Sequence, residues 1–228
     1  MGSYGGKAEP QLSCCCSRSL DVCFFAKMDQ EIQSLFYRIH GEVVQLFYRW
    51  KIFRQLFGSG EDNLNLLNKS GSNVFELLQR LTEDNVLLTL CRLTDPERTG
   101  SYENLSVRNF LGRIEAVLDV TVRQDLQRKL TRLEAATEKL RIHRSKRIAH
   151  LDLSHALKPE LLPPLLYVDL QDALKTLESI MKDLHLAVLN ADTSYKEPAI
   201  AYGCDGEYLL RFLRDAHNRK DDNEECSS

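Results

Sequence analysis

Residues 120–150 read VTVRQDLQRKLTRLEAATEKLRIHRSKRIAH, and the spacing of their apolar positions sets the architecture. Leu126, Leu130, Leu133, Thr137 and Leu140 recur in alternating steps of four and three, which places them in one stripe along an α-helix. Arg144 comes eighteen residues after Leu126 and, at about 100° per residue, returns to the same direction. A guanidinium keeps its charge and is costly to bury unpaired. Either a carboxylate meets Arg144, or the stripe opens there into a cleft or a subunit interface. The surroundings are basic: from Arg123 to Arg147 nine Lys or Arg residues stand against three acids. His150 follows, carrying the one side chain whose ordinary pKa lies near neutrality and which can therefore give or take a proton in a cell. On an ideal helix it lies about 120° round from Arg144. The two converge only if the arginine reaches round, the helix distorts, or a second copy of the chain completes the site.

The same periodicity extends in both directions. Ile32, Leu35, Phe36, Ile39, Val43, Leu46, Phe47, Trp50 and Phe57 predict a long amphipathic helix with an aromatic core face, ended by Gly58-Ser59-Gly60. A second helix runs through Val74, Leu77, Leu78 and Leu81 and becomes apolar nearly all round from Val86 to Leu93. That pattern predicts the central, most buried element, stopped at Asp95-Pro96. Ser106 is suited to cap a short helix bearing Phe110, Leu111 and Ile114, and Thr121 to cap the next one. Three prolines between Lys158 and Pro164 predict a loop, and Asp169 then caps a helix carrying Ala173, Leu174, Leu177, Ile180, Met181, Leu184 and Val188. A last short helix is predicted around Leu209 to Ala216, before a solvated acidic tail from Asp221 to Glu225. With no strand-like alternation, the prediction is an all-α fold, an antiparallel helical bundle with additional helices.

Bulk properties bound the function. A chain of 228 residues with 43% hydrophobic content can bury one core. Residues 28–197 form the expected helical domain and 198–228 a short helix with the acidic tail. Residues 1–27 lack periodicity and are expected to be a disordered or misassigned extension, with Met28 the true start. A net charge of -3 argues against a protein that coats nucleic acid non-specifically, so any nucleic-acid site must be local. No apolar run is long enough to cross a bilayer, and the patch Val22 to Ala26 is too short for a signal-peptide core. Four of the seven cysteines, Cys14, Cys15, Cys16 and Cys23, lie in the N-terminal tail, which is no disulfide framework. A cytoplasmic protein is expected.

These residues carry a family resemblance. Arg144 to His150 resembles the arginine, polar residue, spacer and histidine motif of HEPN domains. The run His143-Arg144-Ser145-Lys146-Arg147-Ile148-Ala149-His150-Leu151-Asp152 is similar to the AbiU-type branch associated with abortive phage infection. His40-Gly41-Glu42-Val43-Val44, Trp50 to Phe57 and Arg92-Leu93-Thr94-Asp95-Pro96 agree with it, and the likeness spans about residues 30–197. The resemblance implies a HEPN-like helical bundle that forms a homodimer, with two motifs facing one another across a cleft that cuts RNA without metal or cofactor. In that chemistry the ribose 2'-hydroxyl attacks the adjacent phosphate while His150 moves the proton and Arg144 holds the developing charge. A toxin-like phage-defence or stress protein is implied, with a nucleotidyltransferase-type antitoxin as a partner in some arrangements. A non-catalytic helical module binding RNA or protein through the same cleft is the alternative. Ser145 departs from the pattern, since HEPN nucleases often have Asn, Asp or His directly after the arginine.

Supporting residues have two readings each. Asp95 and Arg92 either reach the cleft and orient Arg144 or form a local i, i+3 pair. Asp152 fixes the tautomer of His150 if the helix has ended there, and diverges from it on a continuous helix. Lys146 and Arg147 contact phosphate if RNA binds and are otherwise surface charges. No pair among His143, His150, Asp152 and His155 has the i, i+4 spacing of helical zinc ligands, so no metal is expected.

Overall fold

The computed structural model describes residues 28–150 and 152–225, with side chains through residue 219. The N-terminal extension and its cysteines lie outside the described residues. Within them the fold is all-α, with eight α-helices and a two-stranded hairpin of two residues per strand. None of these helices is long and apolar enough to cross a membrane.

Helix α1 (Gln30–Phe57) starts where the Asp29 side chain accepts from the Glu31 N–H at 2.7 Å. Its stripe from Phe36 to Leu56 is buried, Trp50 and Phe47 included, as predicted. Helix α2 (Glu61–Leu93) begins thirteen residues before Val74, directly after the Gly58–Gly60 turn, and kinks at Gly71. The segment before the kink packs on helix α8 (Gly206–Glu225) through Leu67 and Leu210, with Leu56 of α1 completing the cluster. The segment after it enters the main core only from Val86 onward, where Val86, Leu87, Leu90, Cys91 and Leu93 are fully buried. Val74, Leu77, Leu78 and Leu81, predicted to lead into the most buried helix, are exposed. The kink requires a glycine because Gly71 sits at φ +154°, a positive value that side chains avoid. Gly71→Ala is expected to cost about 1–3 kcal/mol of stability, read as a lowered urea midpoint with an unchanged slope.

The hairpin β1 (Arg98–Thr99) and β2 (Tyr102–Glu103) follows, then α3 (Val107–Ile114), capped by Ser106, whose hydroxyl accepts from the Asn109 N–H. Helix α4 (Val120–Ala136) is capped by Asp119, not Thr121: the Asp119 carboxylate accepts the Thr121 N–H at 2.8 Å. Helices α5 (Glu138–His143) and α6 (Leu153–Leu157) are short, and α7 (Tyr167–Leu189) carries eleven buried residues. Leu166 occupies the α7 cap position, and Asp169 serves from the third position by accepting the Leu166 N–H. Every apolar position predicted for α7 is buried. Pairing partners fix the directions. Lys129 of α4 meets Asp183 and Lys139 of α5 meets Asp169, so the α4–α5 segment runs antiparallel to α7. His40 meets His185 and Trp50 stacks on Tyr167, so α1 does too. Helix α8 is longer than predicted, since the acidic residues 221–225 continue it.

One polar cluster lies inside the bundle. His40 Nδ1, His185 Nε2 and the Tyr195 hydroxyl stand 2.8–3.0 Å from one another, walled by Phe36 and Phe47. Burial, with the facing His40, pushes the His185 imidazole down from 6.5 to about 4, and burial also lowers His40 and raises Tyr195. The unfolded chain binds protons here below about pH 6.5 while the fold refuses them until about 4. Stability from this cluster is therefore complete above pH 6.5 and is lost as pH falls toward 4, at up to about 1.4 kcal/mol per pH unit for each proton. Urea midpoints between about pH 7 and 4.5 read this loss, and His185→Gln is expected to flatten it.

Candidate functional site

The leucine stripe does not continue as one helix. At Thr137 the backbone departs from α4 and restarts as α5, with Thr137 buried against Thr94 at the end of α2. Leu126, Leu130, Leu133 and Leu140 are all buried, and Arg144 stands next in line on a wider π turn, Arg144–Ile148. That turn is closed by the Ala149 N–H donating to the Arg144 carbonyl at 2.7 Å, one residue further than in an α-helix. The separation of about 120° derived for a regular helix therefore no longer describes Arg144 and His150. Single π turns of this kind recur at functional sites.

A carboxylate meets the arginine. Arg144 Nη1 donates to both oxygens of Asp95, at 2.8 and 3.0 Å. Arg141 Nη1 donates to the same Asp95 at 2.7 Å, and its Nη2 reaches the Thr94 carbonyl at 2.6 Å and hydroxyl at 2.8 Å. Asp95 is in place because α2 stops just before it, with the Thr94 hydroxyl donating back to the Leu90 carbonyl. Asp95 thus pairs with Arg144 and Arg141 on α5 and the π turn and not with Arg92 one turn before it. Arg92 lies exposed and forms no ion pair with it.

The remaining cations of the turn are also tied down. Arg147 donates to Asp84 at 2.6 Å, and Lys146 to Asp152 at 3.0 Å. Four cations thus share three carboxylates, which leaves the turn with an excess positive charge in a chain that is acidic overall. Asp152 caps α6 and accepts from His155, both backbone N–H and ring Nδ1, the latter at 2.7 Å. That hydrogen bond, with Lys146 adding to it, holds the Asp152 carboxyl well below the usual range. Asp152 therefore serves His155 and Lys146, and the tautomer of His150 is not set by it.

His150 and Ser145 are exposed, and among the described residues neither side chain has a hydrogen-bond partner. His143, one residue before Arg144, is buried, and its Nε2 donates to the Pro163 carbonyl at 2.8 Å, anchoring the proline loop behind the turn. Beneath the arginines lies Cys91, fully buried. Burial pushes its thiol up to about 11 against the opposing pull of Arg141 and Arg144, so it stays protonated and inert. Sequence reasoning missed Arg141 and Asp84. Arg141 is legible in principle, three residues before Arg144 on the same face; Asp84 is legible only as a position eleven residues, or three helical turns, before Asp95.

A model of the AbiU2 family of HEPN domains matches residues 29–209, most of the chain. The chain belongs to that family. The match contains the Arg144–His150 turn together with all three carboxylates that hold it, so the AbiU2 unit includes the whole site. No curated protein and no solved structure matches the chain.

Proposed function

We propose that this AbiU2-type HEPN protein is a metal-independent endoribonuclease acting in phage defence or stress, as a homodimer in which two Arg144–His150 turns serve one RNA cleft. The reading is supported by an arginine that opens the π turn, held there by a shared carboxylate, followed two residues past the turn by an exposed histidine that nothing else among the described residues engages. RNA phosphate is attracted by the excess positive charge and competes with Asp95 for Arg144 and Arg141. The ribose 2'-hydroxyl then attacks the adjacent phosphorus. Its proton passes to an imidazole, the bond from phosphorus to O2' forms, and the bond to O5' breaks. The departing O5' takes a proton from the second imidazole. The products are a 2',3'-cyclic phosphate and a 5'-hydroxyl. Arg144 stabilises the charge that builds on the phosphoryl oxygens.

A second reading, a non-catalytic module binding RNA or a protein, draws on two observations. The short Ser145 is exposed, and every cation of the turn is already paired within the chain. Control by a nucleotidyltransferase-type antitoxin is compatible with either. Incubating purified protein with RNA in EDTA separates them. Cleavage by the wild type that is lost in Arg144→Ala and in His150→Ala supports the enzyme, and no cleavage at micromolar protein supports the module.

A further inference from the structure

The Asp152 carboxylate joins two elements. Its Oδ2 takes Lys146 of the π turn at 3.0 Å, and its Oδ1 takes the His155 ring of α6 at 2.7 Å and the His155 N–H at 3.2 Å. The Asp152 N–H donates to the carbonyls of Lys146 and His150, so the chain folds back on the turn before α6 begins. His155 is thereby fixed against the same turn that opens with Arg144 and leads into His150. Asp152 is held ionised by its His155 contacts and by Lys146. An ionised carboxylate only accepts, so His155 Nδ1 must carry the hydrogen of the 2.7 Å contact, and Nε2 is the nitrogen left to exchange a proton. Nε2 has no partner among the described residues, and the side chain is 19% exposed. A carboxylate on one ring nitrogen and an unengaged second nitrogen make a built proton-transfer group: the acid fixes the direction of the ring and balances its charge while it holds a proton.

We propose that His155 is the general acid of the RNA cleavage put forward above, acting in the same chain as Arg144 and His150. The inference rests on that ribonuclease reading and names its second imidazole. His150 begins neutral and accepts the 2'-hydroxyl proton as O2' bonds to phosphorus. His155 begins as the imidazolium, and its Nε2 proton passes to O5' as the bond from phosphorus to O5' breaks. The Nδ1 hydrogen stays on the ring, facing Asp152, and Asp152 takes up no proton. Exchange with water then returns His150 to the neutral ring and His155 to the charged one, so the protein ends as it began. The roles fall this way round because a carboxylate faces the His155 ring, whereas none faces His150 among the described residues. A positive ring is the starting state that an acid needs, and Asp152 balances it while also carrying Lys146.

Full-length wild type, His155→Ala, His155→Gln and His150→Ala test this on two short RNAs in EDTA, one with the natural O5' at the cut position and one with sulfur in its place. A thiolate departs without taking a proton, so the sulfur RNA needs no acid. His155→Gln keeps an N–H for Asp152 but has no proton to transfer, which separates the chemistry of the ring from its contact. Both His155 variants are expected to cleave the oxygen RNA about 10²- to 10⁴-fold more slowly than wild type, and the sulfur RNA within about 10-fold of it. His150→Ala is expected to be slow on both. His155→Gln that cleaves the oxygen RNA at the wild-type rate overturns the assignment, as do His155 variants slowed equally on the two RNAs, the pattern of a purely structural role. Either result leaves the nuclease reading standing. A wild type that cleaves neither RNA overturns the nuclease reading and the assignment with it.

Discussion

His150→Ala is expected to slow RNA cleavage by about 10²- to 10⁴-fold, the usual worth of a positioned proton-transfer group, with no loss of fold stability. The separation of effects follows from the structure, because the His150 side chain is exposed and makes no hydrogen bond among the described residues. Arg144→Ala is expected to cost a comparable factor, about 10²- to 10³-fold, through loss of charge stabilisation in the transition state. Single-turnover cleavage of a short RNA, run beside thermal melts of each variant, measures both. Equal rates in wild type and His150→Ala would show that any cleavage comes from elsewhere.

Asp95→Asn is expected to act on stability and on rate together. One carboxylate holds Arg144 and Arg141, and it is only 15% exposed. Removing its charge leaves two guanidiniums facing each other at the end of α2, with both pairs part-exposed and so worth less than fully buried ones. A loss of about 2 kcal/mol is expected in urea unfolding. Cleavage is expected to fall about 10- to 100-fold, because the arginine proposed to meet phosphate loses its fixed orientation. Asp84→Asn releases only Arg147 and is expected to do less on both counts. Asp95→Asn with unchanged stability and rate would mean that the Asp95 contacts hold nothing in place.

The legible parts of this molecule are those written in helical periodicity. The apolar positions of α7 and the aromatic stripe of α1 fall in the core because steps of three and four admit one helical reading, and the bundle buries that face. The direction of Arg144 is legible for the same reason, and so is the alternative that a carboxylate meets it. Other features leave no mark in composition. Thr137 keeps its place on the leucine stripe although the helix breaks there, so the four-three rhythm runs through the break unaltered. A π turn adds a residue to one turn without requiring any residue type, and the regular angle of about 120° fails at that point.

Exposure of Val74, Leu77, Leu78 and Leu81 is hidden by a limit of periodicity itself: a stripe says that a face is apolar, not what covers it. Proximity in the chain points Asp152 toward His150, but a helix begins at Leu153. Its cap position hands the carboxylate to His155. The cap of α4 shows a similar ambiguity, since Asp119 and Thr121 are both good capping residues and only coordinates choose.

Arg144 and His150 are proposed to promote attack by a ribose 2'-hydroxyl on its own phosphate. A chemically synthesised RNA cleaved by the wild-type protein in EDTA, compared with the same RNA carrying a single 2'-deoxy nucleotide at the cut position, addresses it directly. Cleavage leaving a 2',3'-cyclic phosphate and a 5'-hydroxyl, abolished by the deoxy substitution, is the expected result. Cleavage that persists at the deoxy position would contradict it, as would intact RNA at micromolar dimeric protein.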